Sequence, residues 1–259
     1  MPTVRVGEID VAYGDDGEGD PLVLLHGTTS SRMSWDLQMP GLVERFRVLR
    51  PEYPGSGETV DHGRGPLELG DLVRQAIAVA DDAGAEQFHV GGWSLGAVVA
   101  AGVAAAVPDR VRALTLLCGW ARTDARMRFT FDLWRRLFET DHELFARYLF
   151  ADGLTAKSFE LLTVEGVEAQ LPTVVLAEGS ARQIDLDMRI DISADLPRVT
   201  APTIVIGGLE DRWVDIEHSR YLAEHIAGAE LIELACGHLV PVEYPDDLTR
   251  MLIEHHGAH

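Results

Sequence analysis

Short apolar runs alternate with helical stretches along most of this chain. Leu22–Leu25, Arg47–Leu49, Phe88–Val90, Ala113–Leu117, Thr203–Ile206 and Leu231–Leu234 are rich in Val, Leu and Ile and bounded by Gly, Pro or charge. That is the pattern of buried strands. Between them, Ser34–Arg45, Leu67–Ala83, Leu95–Val107, Ile216–Ile226 and Asp246–His255 read as helices. The alternation predicts an α/β fold, a mostly parallel sheet with helices on both faces. The opening stretch, Val4–Tyr13, alternates apolar and polar positions around Gly7-Glu8, which predicts an antiparallel hairpin on the sheet edge.

One segment breaks this rhythm. Between Gly119 and Thr200 the spacing is helical, as in Phe129, Leu133, Leu137 and then Leu144, Phe145, Tyr148. Nine of the chain's 18 aromatics fall in residues 120–159, so this segment needs its own explanation. A helical insertion over residues 121–199 that caps a pocket, partly lined by these rings, accounts for it. An ordinary packed helical subdomain would show the same density, and both hold if the cap has its own core.

A chain of 259 residues can bury a sizeable core without covalent staples. Its net charge of −20 argues against nucleic acid and anionic membrane surfaces as partners. Ala97–Val107, the longest apolar run, is too short to span a bilayer. Two cysteines, Cys118 and Cys236, make no disulfide framework, and Met1–Asp10 lacks the pattern of a secretory leader. A cytoplasmic, reduced protein is the expectation, with oligomeric state open. No metal cluster, P-loop or dinucleotide fingerprint is visible, so neither metal nor cofactor is expected.

The sharpest local signal is Gly92-Trp93-Ser94-Leu95-Gly96, a G-x-S-x-G pattern. A predicted strand precedes it and an apolar, Ala-rich helix follows. This is the strand–turn–helix context of a nucleophile elbow, in which a tight turn lifts a serine above the sheet. The glycines allow strand and helix backbones to pass too closely for a Cβ. The helix N-terminus supplies free N–H groups beside Ser94.

On these residues the chain resembles the α/β-hydrolases, and three further motifs match in order. His26-Gly27 after Leu22–Leu25 resembles the H-G oxyanion loop. Pro51-Glu52-Tyr53-Pro54-Gly55-Ser56-Gly57 resembles the D-x-x-G-x-G loop, with Glu52 where Asp is usual. Gly237-His238, followed by Pro241, Glu243 and Pro245, resembles the catalytic-histidine loop. The resemblance implies an α/β-hydrolase core over residues 1–120 and 200–259 with the helical cap at 121–199. It implies a Ser94, Asp211, His238 triad, Asp211 coming from the turn Gly207-Gly208-Leu209-Glu210-Asp211; Asp124, after the preceding strand, is the alternative acid. The backbone amides of Thr28 and Leu95 would form the oxyanion hole, and Thr29, Trp93, Trp120 and Trp134 would contact substrate. His26 would bond its own loop. His62, His89, His142, His218 and His225 read as surface or structural, and His255, His256 and His259 as a tail.

For activity, the resemblance implies a serine hydrolase cleaving a small to medium, largely apolar ester or lactone through an acyl-enzyme. The elbow resembles that of small bacterial carboxylesterases, including pimeloyl-carrier methyl ester esterases; the length and cap resemble enol-lactonases and actinobacterial tailoring hydrolases. A serine at the elbow excludes the aspartate-based dehalogenase and epoxide-hydrolase routes. The net charge repels acyl-CoA and acidic carriers, although Arg122, Arg126, Arg128, Arg135 and Arg136 could reverse that locally. A thioesterase, a triad-bearing lyase or cyclase, and a non-catalytic binding protein are the alternatives.

Overall fold

The alternating start of the chain forms the hairpin expected of it. In the computed structural model, which describes residues 1–171, 174, 176 and 179–259, β1 (Thr3–Val6) pairs antiparallel with β2 (Ile9–Asp16). The apolar runs that follow become β3 (Asp20–Leu25), β4 (Phe46–Pro51), β6 (Phe88–Trp93), β7 (Val111–Leu117), β8 (Thr203–Gly208) and β9 (Glu230–Leu234). A two-residue strand, β5 (Val60–Asp61), pairs with β2; it is too short to leave a sequence pattern. The order is β1-β2-β4-β3-β6-β7-β8-β9, antiparallel through β2 and parallel from β4 to β9.

Helices cover both faces. α2 (Leu69–Asp82) buries Leu72, Val73, Ala76, Val79 and Ala80 along one stripe. α3 (Leu95–Ala106) is apolar on all sides and almost wholly buried, the pattern of a central helix. α8 (Ile216–His225) and, after the single turn α9 (Val240–Glu243), α10 (Pro245–Gly257) match their predicted spans closely. The predicted helix Ser34–Arg45 does not form. A 3-10 turn, Arg32–Trp35, and the single turn α1 (Met39–Leu42) replace it. Pro40 lacks the N–H a continuous helix would need and its ring would clash with the preceding turn.

The end of the chain also departs from expectation. His256 is no loose tail: it is buried on α10, 5.1 Å from the His89 ring, with Nε2 3.0 Å from Thr115 Oγ1. His89 is equally buried and lies 5.9 Å from the Phe46 ring.

Between β7 and β8 the chain leaves the sheet for α4 (Ala125–Thr140), α5 (His142–Gly153), α6 (Ala156–Gln170) and α7 (Ser180–Asp187). Five positions of the expected 121–199 insertion lie outside the described residues. Asp124, Asp141 and Thr155 each cap a helix by accepting a backbone N–H three residues on, at 2.8, 3.0 and 3.1 Å. Entry and exit are laced together by an antiparallel bridge, Arg122 with Asp191, flanked by Thr123 N–H to Ile190 O at 3.0 Å and Ile192 N–H to Ala121 O at 2.8 Å. Trp134 centres an aromatic cluster with Phe131, Phe145 and Trp213 at ring distances of 5.3, 5.9 and 4.7 Å. Among the described residues no helix is long and apolar enough to cross a membrane.

Candidate active site

Ser94 sits between the last residue of β6 and the first of α3 with φ 59° and ψ −123°, a region costly for a residue with a Cβ. The turn is tight enough to dictate its glycines. A Cβ at Gly92 would lie 2.0 Å from Gly96 O, and one at Gly96 would lie 2.2 Å from Leu25 O. The strain is local to a point where a hydroxyl meets the N-terminus of α3, whose first N–H groups have no carbonyl one turn earlier.

Asp211 and His238 arrive from loops after β8 and β9. His238 Nδ1 is 2.7 Å from Asp211 Oδ2, and both side chains are essentially inaccessible. Asp211 Oδ1 accepts the N–H groups of Trp213 and Val214, both at 2.9 Å, which holds the carboxyl in place. A carboxylate only accepts, so Nδ1 carries the proton and Nε2 is left as a lone-pair acceptor. That Nε2 is buried and has no partner among the described residues.

The histidine loop is clamped from three sides. His238 N–H donates to Gly153 O at 2.9 Å at the end of α5, and Gly237 N–H donates to Glu243 Oε1 at 2.9 Å. Glu243 Oε2 in turn accepts Thr155 Oγ1 at 2.8 Å. Trp93, the residue before the serine, donates Nε1–H to His238 O at 2.9 Å, so one indole ties the elbow to the histidine peptide. The Trp213 ring lies 4.6 Å from the imidazole. Asp124, the alternative acid, does not meet His238. It caps α4 and lies 3.2 Å from His218 Nε2.

Cys118 joins Asp211 and His238 within 4.8 Å. Burial pushes its thiol well above the usual range, and Cys236 is pushed up to about 12 by the same cause. Neither therefore offers the thiolate that a nucleophilic role requires.

His26 to Thr29 form the loop opposite the serine. A Cβ at Gly27 would lie 3.1 Å from Ser94 Cβ, a tight contact that glycine spares this loop. His26 accepts Tyr53 N–H on Nε2 at 3.2 Å and donates Nδ1–H to Gly27 O at 2.7 Å. Burial lowers its pKa to about 4, keeping it neutral. Thr28 donates its hydroxyl to Asp187 Oδ2 at 2.6 Å, and Thr29, at φ 57°, donates its N–H to Gln183 Oε1 at 3.0 Å. Trp120 is fully buried against Phe131 and donates Nε1–H to Thr123 Oγ1 at 3.0 Å. Trp134 stands next to Trp213.

Sequence reasoning passed over Gln183, Asp187 and Trp213, and gave Glu243 a place in the histidine-loop motif without its role as a clamp. The first two carried a weak signal: polar side chains four apart on a helix whose other inward positions, Ile184 and Leu186, are apolar.

Comparison with known proteins agrees with this architecture. Residues 20–245 match the α/β hydrolase fold family. The chain is 36% identical over 257 residues to pyrrolizixenacetamide deacetylase of Xenorhabdus hominickii, covering 97% of this chain and 96% of that protein. It is 32% identical over 221 residues to pimeloyl-[acyl-carrier protein] methyl ester esterase of Methylococcus capsulatus, covering 80% of this chain and 82% of that one. The crystal structure of the enol-lactonase from Burkholderia xenovorans LB400 shares the fold with a TM-score of 0.87 at 23% identity, over 98% of both chains. A family match spanning most of the length, on a sheet with this strand order, leads to one conclusion: the chain belongs to the α/β-hydrolase fold family and is an enzyme of the hydrolase class.

Proposed function

We propose that the chain hydrolyses small to medium, largely apolar carboxylic esters or lactones through an acyl-enzyme on Ser94, with residues 121–199 capping the pocket over a core of residues 1–120 and 200–259. One observation carries the reading. The 2.7 Å hydrogen bond from His238 Nδ1 to Asp211 leaves Nε2 a buried, unpartnered acceptor, on a loop tied through Trp93 to the strained turn of Ser94. The two relatives support acyl-bond hydrolysis: by their names one is an acetamide deacetylase and the other a methyl ester esterase acting on a carrier-bound acyl chain.

In this mechanism Nε2 takes the proton from Ser94 Oγ as the oxygen attacks the carbonyl carbon. The carbonyl oxygen gains negative charge and is held by the amides of Thr28 and Leu95. Asp211 steadies the imidazolium. Collapse of the adduct breaks the bond to the alcohol, which leaves with the proton from Nε2. Water then repeats the sequence on the acyl-enzyme and releases the acid. The rings running from His238 through Trp213 to Trp134 supply an apolar wall, with Trp93 beside the serine, Trp120 behind and the Thr29 hydroxyl at the loop.

Charge favours a free ester over an acyl-CoA. Arg135 is paired with Glu139 and Asp185, and Arg136 with Asp132, so the insertion's arginines are partly neutralised. A fluorophosphonate probe should label the wild type and leave Ser94→Ala unlabelled. A panel of 4-nitrophenyl esters, lactones and acyl-CoAs then ranks substrates; turnover confined to acyl-CoA would reverse the preference. Incorporation of ¹⁸O from water into the acid product separates hydrolysis from lyase or cyclase chemistry.

A further inference from the structure

The loop that would hold the substrate oxygen is gripped by the insertion and not only by the sheet. α7 directs two side chains one helical turn apart onto it, and both are fully buried. Gln183 Oε1 accepts Thr29 N–H at 3.0 Å while its Nε2 donates to Ser56 Oγ at 2.9 Å, so one amide joins the oxyanion loop to the loop after β4. Asp187 Oδ2 accepts the Thr28 hydroxyl at 2.6 Å. The approach of α7 is itself built in. A Cβ on Gly55 would lie 2.2 Å from Gly179 Cα, and one on Gly179 would lie 2.3 Å from Pro54 O, so backbone meets backbone where the insertion lands.

We propose that Gln183 and Asp187 are positioning residues for the oxyanion loop, fixing the Thr28 amide from the helical insertion; this rests on the reading of Thr28 as an oxyanion donor. Thr29 occupies φ 57°, a conformation that persists only where its surroundings hold it, and the Gln183 bond is such a hold. Burial pushes the Asp187 carboxyl well above the usual carboxylate range against the opposing pull of the Thr28 hydroxyl. That direction disfavours a negative charge at Asp187, which would oppose the charge growing on the substrate oxygen.

The test measures 4-nitrophenyl acetate hydrolysis and the rate of fluorophosphonate labelling in Asp187→Leu, Thr28→Val, Gln183→Met and Asp187→Asn. The first three should lower kcat by about 10- to 100-fold, because displacing a catalytic group by about 1 Å costs on that order. KM should stay within about threefold, since the lost interaction belongs to the transition state, and labelling should slow in parallel. The double variant Asp187→Leu/Thr28→Val should be no slower than either single one, as both remove the same bond. Asp187→Asn keeps an oxygen acceptor for the Thr28 hydroxyl and should restore kcat to within about threefold of wild type. If Asp187→Leu does not fold, Thr28→Val and Gln183→Met decide the matter. Unchanged kcat in those two, or losses confined to KM and the thermal midpoint, overturns the proposal. Ser94→Ala is the separate control: residual turnover or labelling there rejects the serine mechanism, whereas its complete loss beside normal α7 variants rejects the positioning role alone.

Discussion

The end of the sheet and the helical insertion hold their chemistry in different ways. At the sheet, position comes from the backbone: Ser94 rides a turn closed by two glycines, and Asp211 is fixed by two amide donors. In the insertion, position comes from side chains: indole and phenyl rings pack at 5.3 to 5.9 Å, and capping oxygens start three helices. Backbone geometry allows few alternatives and suits groups that must meet within a hydrogen-bond length. Ring packing tolerates changes of shape at similar volume, which suits the substrate-selecting role proposed for it.

The largest test of this contrast removes the sheet-end chemistry. Ser94→Ala, and separately Asp211→Asn, should lower kcat by about 10⁴-fold or more with little change in thermal midpoint, because each removes a reacting or orienting group from a framework that needs neither for folding. Equal losses of stability would erase the distinction.

Next is Trp134→Ala, expected to cost about 3–5 kcal/mol of stability by emptying the centre of the ring cluster. Thermal denaturation reads that cost, and KM sharpens the comparison. A rise in KM marks the ring as pocket wall, while a stability loss alone marks the insertion as a packed subdomain.

Acidification acts on the sheet side. Burial lowers His26 to about 4, and lowers His89 and His256 as well. In the unfolded chain these groups take up protons near the ordinary value of about 6.5. The folded state resists until lower pH, so stability is fully present above about 6.5 and is lost as pH falls toward 4. His26 contributes about 1.4 kcal/mol per pH unit across that window. Urea titrations from pH 7 to 4 measure the slope, and a flat profile would contradict burial of neutral imidazoles.

The smallest effect is expected on the outer face. Phe129 is 76% exposed beside a cleft of about 630 Å³ with Arg128, Asp132 and Met188. Phe129→Ser should change stability by no more than about 0.5 kcal/mol and leave kcat/KM unaltered. A marked change in KM would extend the selecting surface to the outside of α4.

Much of this was legible in the residues. The six apolar runs became six strands, the inner ones because a strand buried on both faces must be continuously apolar, while β9 is a half-exposed edge strand, and the Gly92 to Gly96 spacing announced a turn that only glycine permits. The misreadings have local causes: Pro40 interrupts a helical pattern, and His256 reads as polar although a packed imidazole is neutral and half apolar.

Periodicity and turn chemistry, which depend only on neighbours in the chain, were enough to determine the strands and the elbow; the order of the candidate triad came from the resemblance to the α/β-hydrolases. Only tertiary structure decided that Asp211 and not Asp124 faces His238, that Trp93 ties elbow to histidine loop, and that Gln183 and Asp187 reach Thr29 and Thr28 across more than 150 residues. Those pairings follow from where loops end in space, and a hydrogen bond between distant residues leaves no spacing in either one's own neighbourhood.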